Sequence, residues 1–407
     1  MTSRPPSPSD AQRPGFAEFV VLMAGLMSLN ALAIDAMVPA LPAIGESLAV
    51  AAENDRQLVV AAYMFGFGTT QLIYGPLSDR FGRKPVLVVS LVLYIGFSLA
   101  CAAAGSFALL IAARLAQGAS AAATRVLVVS IIRDRYEGAG MARLLSLVHL
   151  VFLIMPVLAP TFGQLTLLIA PWRWIFLGLA TFGSLMLAWS TLRLPETLRP
   201  EHRRSLSAGD IARASHETLT NRQSLGYTLA FTLMMGALVG YIVSIQQIVF
   251  DVYERPELIA AAFAGIAVPM AASSYANSRL VERIGTKRIA HLSLILFTAF
   301  ASLHLGVASF GESFAAFIFL QGLTMAAFAI GSANFGALAM QPLGHIAGTA
   351  SSVQGTIGTI GGAAIGTALG QAFDGTAIPL LAGFAGFGAG ALLIILLTER
   401  GRLFGVD

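Results

Sequence analysis

The chain has 407 residues, of which 56% are hydrophobic and only 11% charged. Soluble domains carry charge on about a quarter of their residues, so an ordinary water-soluble enzyme or scaffold is excluded; a mean hydropathy of +0.77 agrees. The net charge of +4 would suit a nucleic-acid partner, but the distribution of the charges between apolar runs decides against one.

The first fifteen residues are polar and rich in Pro and Ser, with no apolar signal core, and read as a disordered cytoplasmic tail (1–15). Apolar runs bounded by charges, Gly or Pro then predict twelve membrane-spanning helices. They cover about 16–41, 56–77, 84–104, 107–132, 140–168 and 172–194, then 223–250, 257–280, 286–308, 312–339, 345–372 and 376–398. The fold class is therefore all-α and integral to a membrane, as two six-helix halves, 16–194 and 223–398. Between them lies a cytoplasmic loop, 195–222, with Arg199, Arg203, Arg204, Arg213 and Arg222 and a short surface helix expected over Ser207 to His216. Residues 399–407 form a second cytoplasmic tail. A lone cysteine, Cys101, permits no disulfide within the chain and gives no metal site.

Gly75 to Lys84, G-P-L-S-D-R-F-G-R-K, reads as a charged loop between the second and third spans. Its Ser78 to Lys84 portion returns as Val281 to Lys287, V-E-R-I-G-T-K, 203 residues later, so the chain reads as one membrane unit written twice. Twenty of the 25 Lys and Arg residues fall on the side that holds both termini, which predicts cytoplasmic termini. Arg56, Arg173 and Arg255 fall on the other side.

Ionisable residues inside spans are costly and point to function. Asp35 lies in the first span, Arg114 and Arg125 in the fourth. Counted from the span ends, Asp35 and Arg114 are level, roughly 10 Å below the external surface, and are expected to pair. Arg125, eleven residues after Arg114, returns to almost the same face, with Gly118, Ala121 and Ala122 leaving space between them. That geometry predicts a water-filled path with one carboxylate near its outer end. Asp35 becomes the candidate proton-exchanging acid, while Arg125 is open to substrate contact or to pairing with Asp134. Asn30, Tyr63, Tyr241, Gln246, Asn277 and Asn334 are further polar residues within spans, able to line a cavity or to bond helix to helix. His149 and His304 are lone imidazoles without metal-ligand spacing, and no phosphate-binding glycine loop occurs, so neither metal, cofactor nor ATP is assigned.

Gly75, Leu77, Asp79, Arg80, Gly82, Arg83 and Lys84 resemble the loop motif between helices 2 and 3 of the major facilitator superfamily. Asp35 to Pro42, with D-x-x-x-P-x-x-P spacing, resembles the acidic motif of Bcr/CflA-type drug exporters. Arg114, Gln117 and Gly118 resemble the fourth-span motif of drug–proton antiporters; Ile132 to Tyr136 is similar to the signature that follows it. Met155 to Gly163 resembles the fifth-span antiporter motif, although Ala159 stands where a glycine usually precedes Pro160. Trp172 to Phe176 and Leu194 to Thr197 are similar to the two ends of the sixth span. In the second half Phe319 to Gly322 mirrors Leu115 to Gly118, but Ile318 replaces the Arg.

The resemblance implies a monomeric multi-pass carrier of the bacterial inner membrane, working by alternating access. It would exchange protons for small amphipathic drugs of phenicol, bicyclomycin or sulfonamide type. Asp35 and Arg114 would couple protons; Asn30, Asp35, Tyr63, Arg114, Arg125, Tyr241, Gln246 and Asn334 would meet substrate. Gly75, Asp79, Arg80, Gly82, Arg83, Asp134, Pro156, Pro160 and Gly163 would form the conformational switch, with Asp79 capping a neighbouring helix while the arginines hold Asp134. Export of an endogenous metabolite or siderophore, or a non-transporting receptor, are the rival readings. An enzyme would need a nucleophile, base or metal cluster that the sequence lacks.

Overall fold

The computed structural model describes residues 14–136, 138–198, 201 and 208–404, so most of both tails, Arg199, Arg203 and Arg204 lie outside the described residues. Among these, the chain is helical and contains twelve helices of 20 residues or more. The first half comprises α1 (Phe16–Asp35), α2 (Leu58–Phe81), α3 (Arg83–Ala102), α4 (Phe107–Arg135), α5 (Gly138–Ile169) and α6 (Arg173–Arg193). The second comprises α7 (Arg222–Gln247), α8 (Ile259–Ile284), α9 (Thr286–Ser309), α10 (Phe314–Met340), α11 (Ala347–Gln371) and α12 (Ile378–Thr398). Ten helical stretches, built on all but α5 and α11, are long and apolar enough to cross a membrane. A helix over Ala208–Thr220 links the halves, four residues longer at its C-terminal end than the sequence suggested.

One apolar core lies in the first half, on residues such as Phe19, Leu91 and Phe176; the other centres on Tyr227, Phe297 and Phe384 and takes in Val38, Val60 and Met64 of the first half. The packing is repeated six helices on: α2 against α4 as α8 against α10, α1 against α5 as α7 against α11, and α3 against α6 as α9 against α12. The halves meet where α2 lies along α11 and α5 along α8.

Three sequence features set this geometry. First, the expected loop at Gly75 is helix: α2 runs through Gly75 and Pro76 to Phe81, and the chain breaks only at Gly82, whose φ of 103° suits glycine. Gly285 makes the same break between α8 and α9, with φ 91°. Second, α1 stops at Asp35 and continues as a short turn, Val38–Ala40, and a helical segment, Leu41–Ser47. Pro39 has no N–H to bond the carbonyl four residues back, which is that of Asp35, and Pro42 does the same to Val38. Third, small residues let backbones touch. A Cβ on Gly118 would lie 1.9 Å from the Tyr63 carbonyl oxygen, and one on Gly66 1.9 Å from that of Leu115. In the glycine-rich α11, Gly362 and Gly366 likewise meet the backbone of α7.

Candidate functional site

Arg114 is fully buried, but Asp35 is not its partner. Its guanidinium donates to the carbonyl of Val59 (2.9 Å), to that of Ala33 (3.1 Å) and to Gln117 Oε1 (2.7 Å). It lies 4.6 Å from the centre of the Tyr63 ring and 5.8 Å from that of Phe176. Tyr63 in turn donates to Asn30 Oδ1 (3.0 Å), and Asn30 Nδ2 donates to Thr124 Oγ1 (2.9 Å). Gln117 Nε2 closes the network on Ser98 (2.7 Å). The expected ion pair is therefore replaced by carbonyls, an amide and aromatic rings, a set that disperses the charge and ties α1, α2, α3 and α4 together. Tyr63, Asn30 and Arg114 are joined here in the interior, not spread along a cavity wall. At Gly118 the backbone of α2 occupies the space that was expected to be left open.

Asp35 stands apart at the break in α1. It is 6% exposed, and among the described residues it has no hydrogen bond or ion pair. Gly163 of α5 supports the break, since a Cβ there would lie 2.2 Å from the Ala36 carbonyl oxygen. Pro156 and Pro160 fall within the same helix, α5. From the other half, α7 packs against the Val38–Ala40 turn just past Asp35, and on that helix the buried Tyr241 hydroxyl has no hydrogen-bond partner among the described residues. Gln246, five residues further along α7, is buried with its amide nitrogen unpartnered among the described residues. Asn334 is committed elsewhere, donating to Asn277 Oδ1 (2.9 Å) between α10 and α8.

Arg125, within α4, has no ion pair among the described residues either. It shares a face with Arg114, as expected: its guanidinium sits 6.0 Å from the Phe67 ring, one turn along α2 from Tyr63. Unlike Arg114 it is exposed. It does not pair with Asp134.

Asp134 belongs to a cluster at the end of the bundle that carries the termini. It accepts from Arg83 Nε (3.0 Å) and Thr197 Oγ1 (3.1 Å), while Arg83 also pairs with Asp79 (2.5 Å) and donates to Ser78 Oγ (2.6 Å). Arg80 takes no part in the Asp134 contact and lies against the Phe81 ring, 5.2 Å from its centre. Nor does Asp79 cap a helix. That role falls to Glu196, whose carboxylate accepts from the backbone N–H groups of Arg83 (3.0 Å) and Lys84 (3.1 Å) at the start of α3. Glu399, 203 residues later, pairs with Lys287 (2.6 Å) beside the equivalent break and accepts from Tyr227 (2.8 Å). His304, which looked isolated, bonds Glu312 (3.0 Å); the side chain of His149 lies outside the described residues.

At the opposite end, hydrogen bonds lock the halves together. Asn54 donates to the carbonyls of Gln371 and Phe373 (both 3.0 Å), Gln371 donates to the Asn54 carbonyl (2.7 Å), and Gln57 bonds Gln247 and the Gly370 carbonyl. Gln164 adds a bond to the Glu257 carbonyl (3.2 Å). Among the described residues, the side-chain hydrogen bonds between halves all fall at this end. None of these residues was singled out from sequence; the available signal was a cluster of amides at span ends.

A sequence model of the Major Facilitator Superfamily matches residues 23–261. The chain belongs to the major facilitator superfamily. It is similar to the multidrug resistance protein MdtL of Escherichia coli O6:K15:H31, with 30% identity over 83% of this chain and 85% of that protein. It is also similar to YdgK of Bacillus subtilis strain 168, an uncharacterized transporter of this type, with 29% identity over 92% of each chain. In fold it matches the crystal structure of the human organic anion transporter MFSD10, with a TM-score of 0.67, 18% identity, and coverage of 95% of this chain and 99% of that one. This major facilitator is thus a transporter and not an enzyme.

Proposed function

We propose that this carrier is a proton-coupled exporter of small amphipathic drugs, of the Bcr/CflA type, with Asp35 as its coupling acid. The observation that carries the reading is a buried carboxyl, without a side-chain partner among the described residues, at a proline-made break in α1. A carboxyl bound to no fixed cation can take up and release a proton as its surroundings change. Arg114 then acts by position: it grips the Ala33 carbonyl two residues before Asp35, so it couples α2 and α4 to the acid. The relatives named as multidrug resistance proteins support drugs as cargo.

Basic residues predict that the termini face the cytoplasm of a bacterial inner membrane. On that topology the locked end is external, and the conformation is inward-facing. The cycle would open the Asn54–Gln57–Gln371 contacts and close the opposite side, with the Asp79–Arg83–Asp134 cluster and the Glu196 cap steadying the first half. Arg125, Tyr241 and Gln246 are the proposed cavity contacts.

The test is uptake of labelled chloramphenicol into inverted vesicles under an inward-acid gradient. Wild type should concentrate the drug and Asp35→Asn should not. Uptake by Asp35→Asn equal to wild type would remove Asp35 from the coupling role. Absence of wild-type uptake across phenicols, sulfonamides and bicyclomycin would reject the drug class.

A further inference from the structure

We infer that Arg125 is the docking point for a negatively charged group on the substrate, so that among small amphipathic compounds the favoured cargo is one that carries a carboxylate or sulfonate. The inference rests on the carrier reading above and names the chemistry of its cavity.

Arg125 lies ten residues from the Arg135 end of α4, roughly 15 Å along the helix, where an unpaired guanidinium is costly. The acids that could neutralise it are elsewhere. Asp134 is held by Arg83 and Thr197, and Asp35 forms no ion pair. Nor does Arg125 have a hydrogen bond among the described residues. Its neighbours are settled on each side: Thr124 is bonded to Asn30, and Phe67 offers its ring face. Arg114 shows the contrast, because there the same chain surrounds a guanidinium with carbonyls and an amide. At Arg125 the side chain is exposed and its five N–H donors have no acceptor among the described residues, the arrangement a carboxylate or sulfonate satisfies with two parallel bonds.

The test uses two probes with one fluorophore, dansylglycine (anionic) and dansylamide (neutral), binding to the purified full chain in nanodiscs. Wild type should bind dansylglycine about tenfold more tightly than dansylamide. Arg125→Gln should remove that preference while keeping dansylamide affinity, which shows that the variant is folded; Arg125→Lys should keep part of it. Equal binding of the two probes by wild type, or an unchanged preference in Arg125→Gln, would overturn the inference. So would Arg125-dependent displacement of dansylglycine by phosphatidylglycerol added to the nanodisc or by free inorganic phosphate, since the anion would then be lipid or buffer and not cargo. Charge-selective binding without any transport would leave the anion site standing and sink the exporter reading; drug transport without charge selectivity would do the reverse.

Discussion

Replacing Gly118 with Ala tests how the fourth-span motif works. The added methyl would sit 1.9 Å from the Tyr63 carbonyl oxygen, whereas close C···O contacts lie near 3.3 Å. Helices α2 and α4 must therefore separate by more than ~1 Å. Overpacking of this kind costs about 1–3 kcal/mol. The separation also stretches the Arg114 bond to Val59 and its contact with the Tyr63 ring, adding about 1 kcal/mol. A loss of about 2–4 kcal/mol is expected, read as reversible unfolding in mixed detergent by far-ultraviolet circular dichroism. Gly66→Ala meets the reciprocal contact with the Leu115 carbonyl and should cost a similar amount. Because one separation relieves both clashes, the double variant should lose clearly less than the sum of the singles. Unfolding of Gly118→Ala within ~0.5 kcal/mol of wild type, or strict additivity, would refute the close-crossing argument.

Three further outcomes follow from the geometry. Gly82→Ala should destabilise more than Gly285→Ala, since both force a side chain into positive φ but only the former meets a neighbour, Glu196 Oε2 at 2.5 Å; equal melting shifts would contradict this. Glu196→Gln, which removes the charge that faces two N–H groups of α3, should cost about 1–2 kcal/mol by the same unfolding assay, and no loss would remove Glu196 as the cap. Gln57→Ala breaks bonds between the halves worth about 1 kcal/mol each, so a cysteine placed at Ala61 in a Cys101→Ser background should react several-fold faster with an impermeant maleimide; an unchanged rate would mean that these amides do not hold the end closed.

The fold was legible because a membrane leaves few options: apolar length gave the helices, and the repeated Gly82 and Gly285 breaks marked the twofold plan. The charged residues were found for the same reason, but their partners were not. Asp35 and Arg114 were placed level by counting residues, and charge alone suggested a pair. Counting along a helix does not see that Pro39 ends α1 at Asp35, nor that carbonyls and rings can satisfy a guanidinium. Likewise, small residues near Arg114 read equally as open space or as a backbone crossing; Gly118 proved to be the second. Glu196 appeared only as part of a span end, because its contact with α3 lies 113 residues away in sequence. Gln321 holds the place of Gln117 in the second half without an arginine, and both its polar side-chain atoms are buried without a partner among the described residues.

The central claim is that Asp35 carries the coupling proton. The most direct measurement is proton movement in proteoliposomes that contain a trapped pH dye, driven by an outward or inward gradient of a transported drug without an imposed pH difference. Wild type should move protons opposite to the drug, so that drug influx raises the lumenal pH and drug efflux lowers it, and Asp35→Asn should carry drug down its gradient with no pH change. A drug-driven pH change of wild-type size in Asp35→Asn would contradict the account.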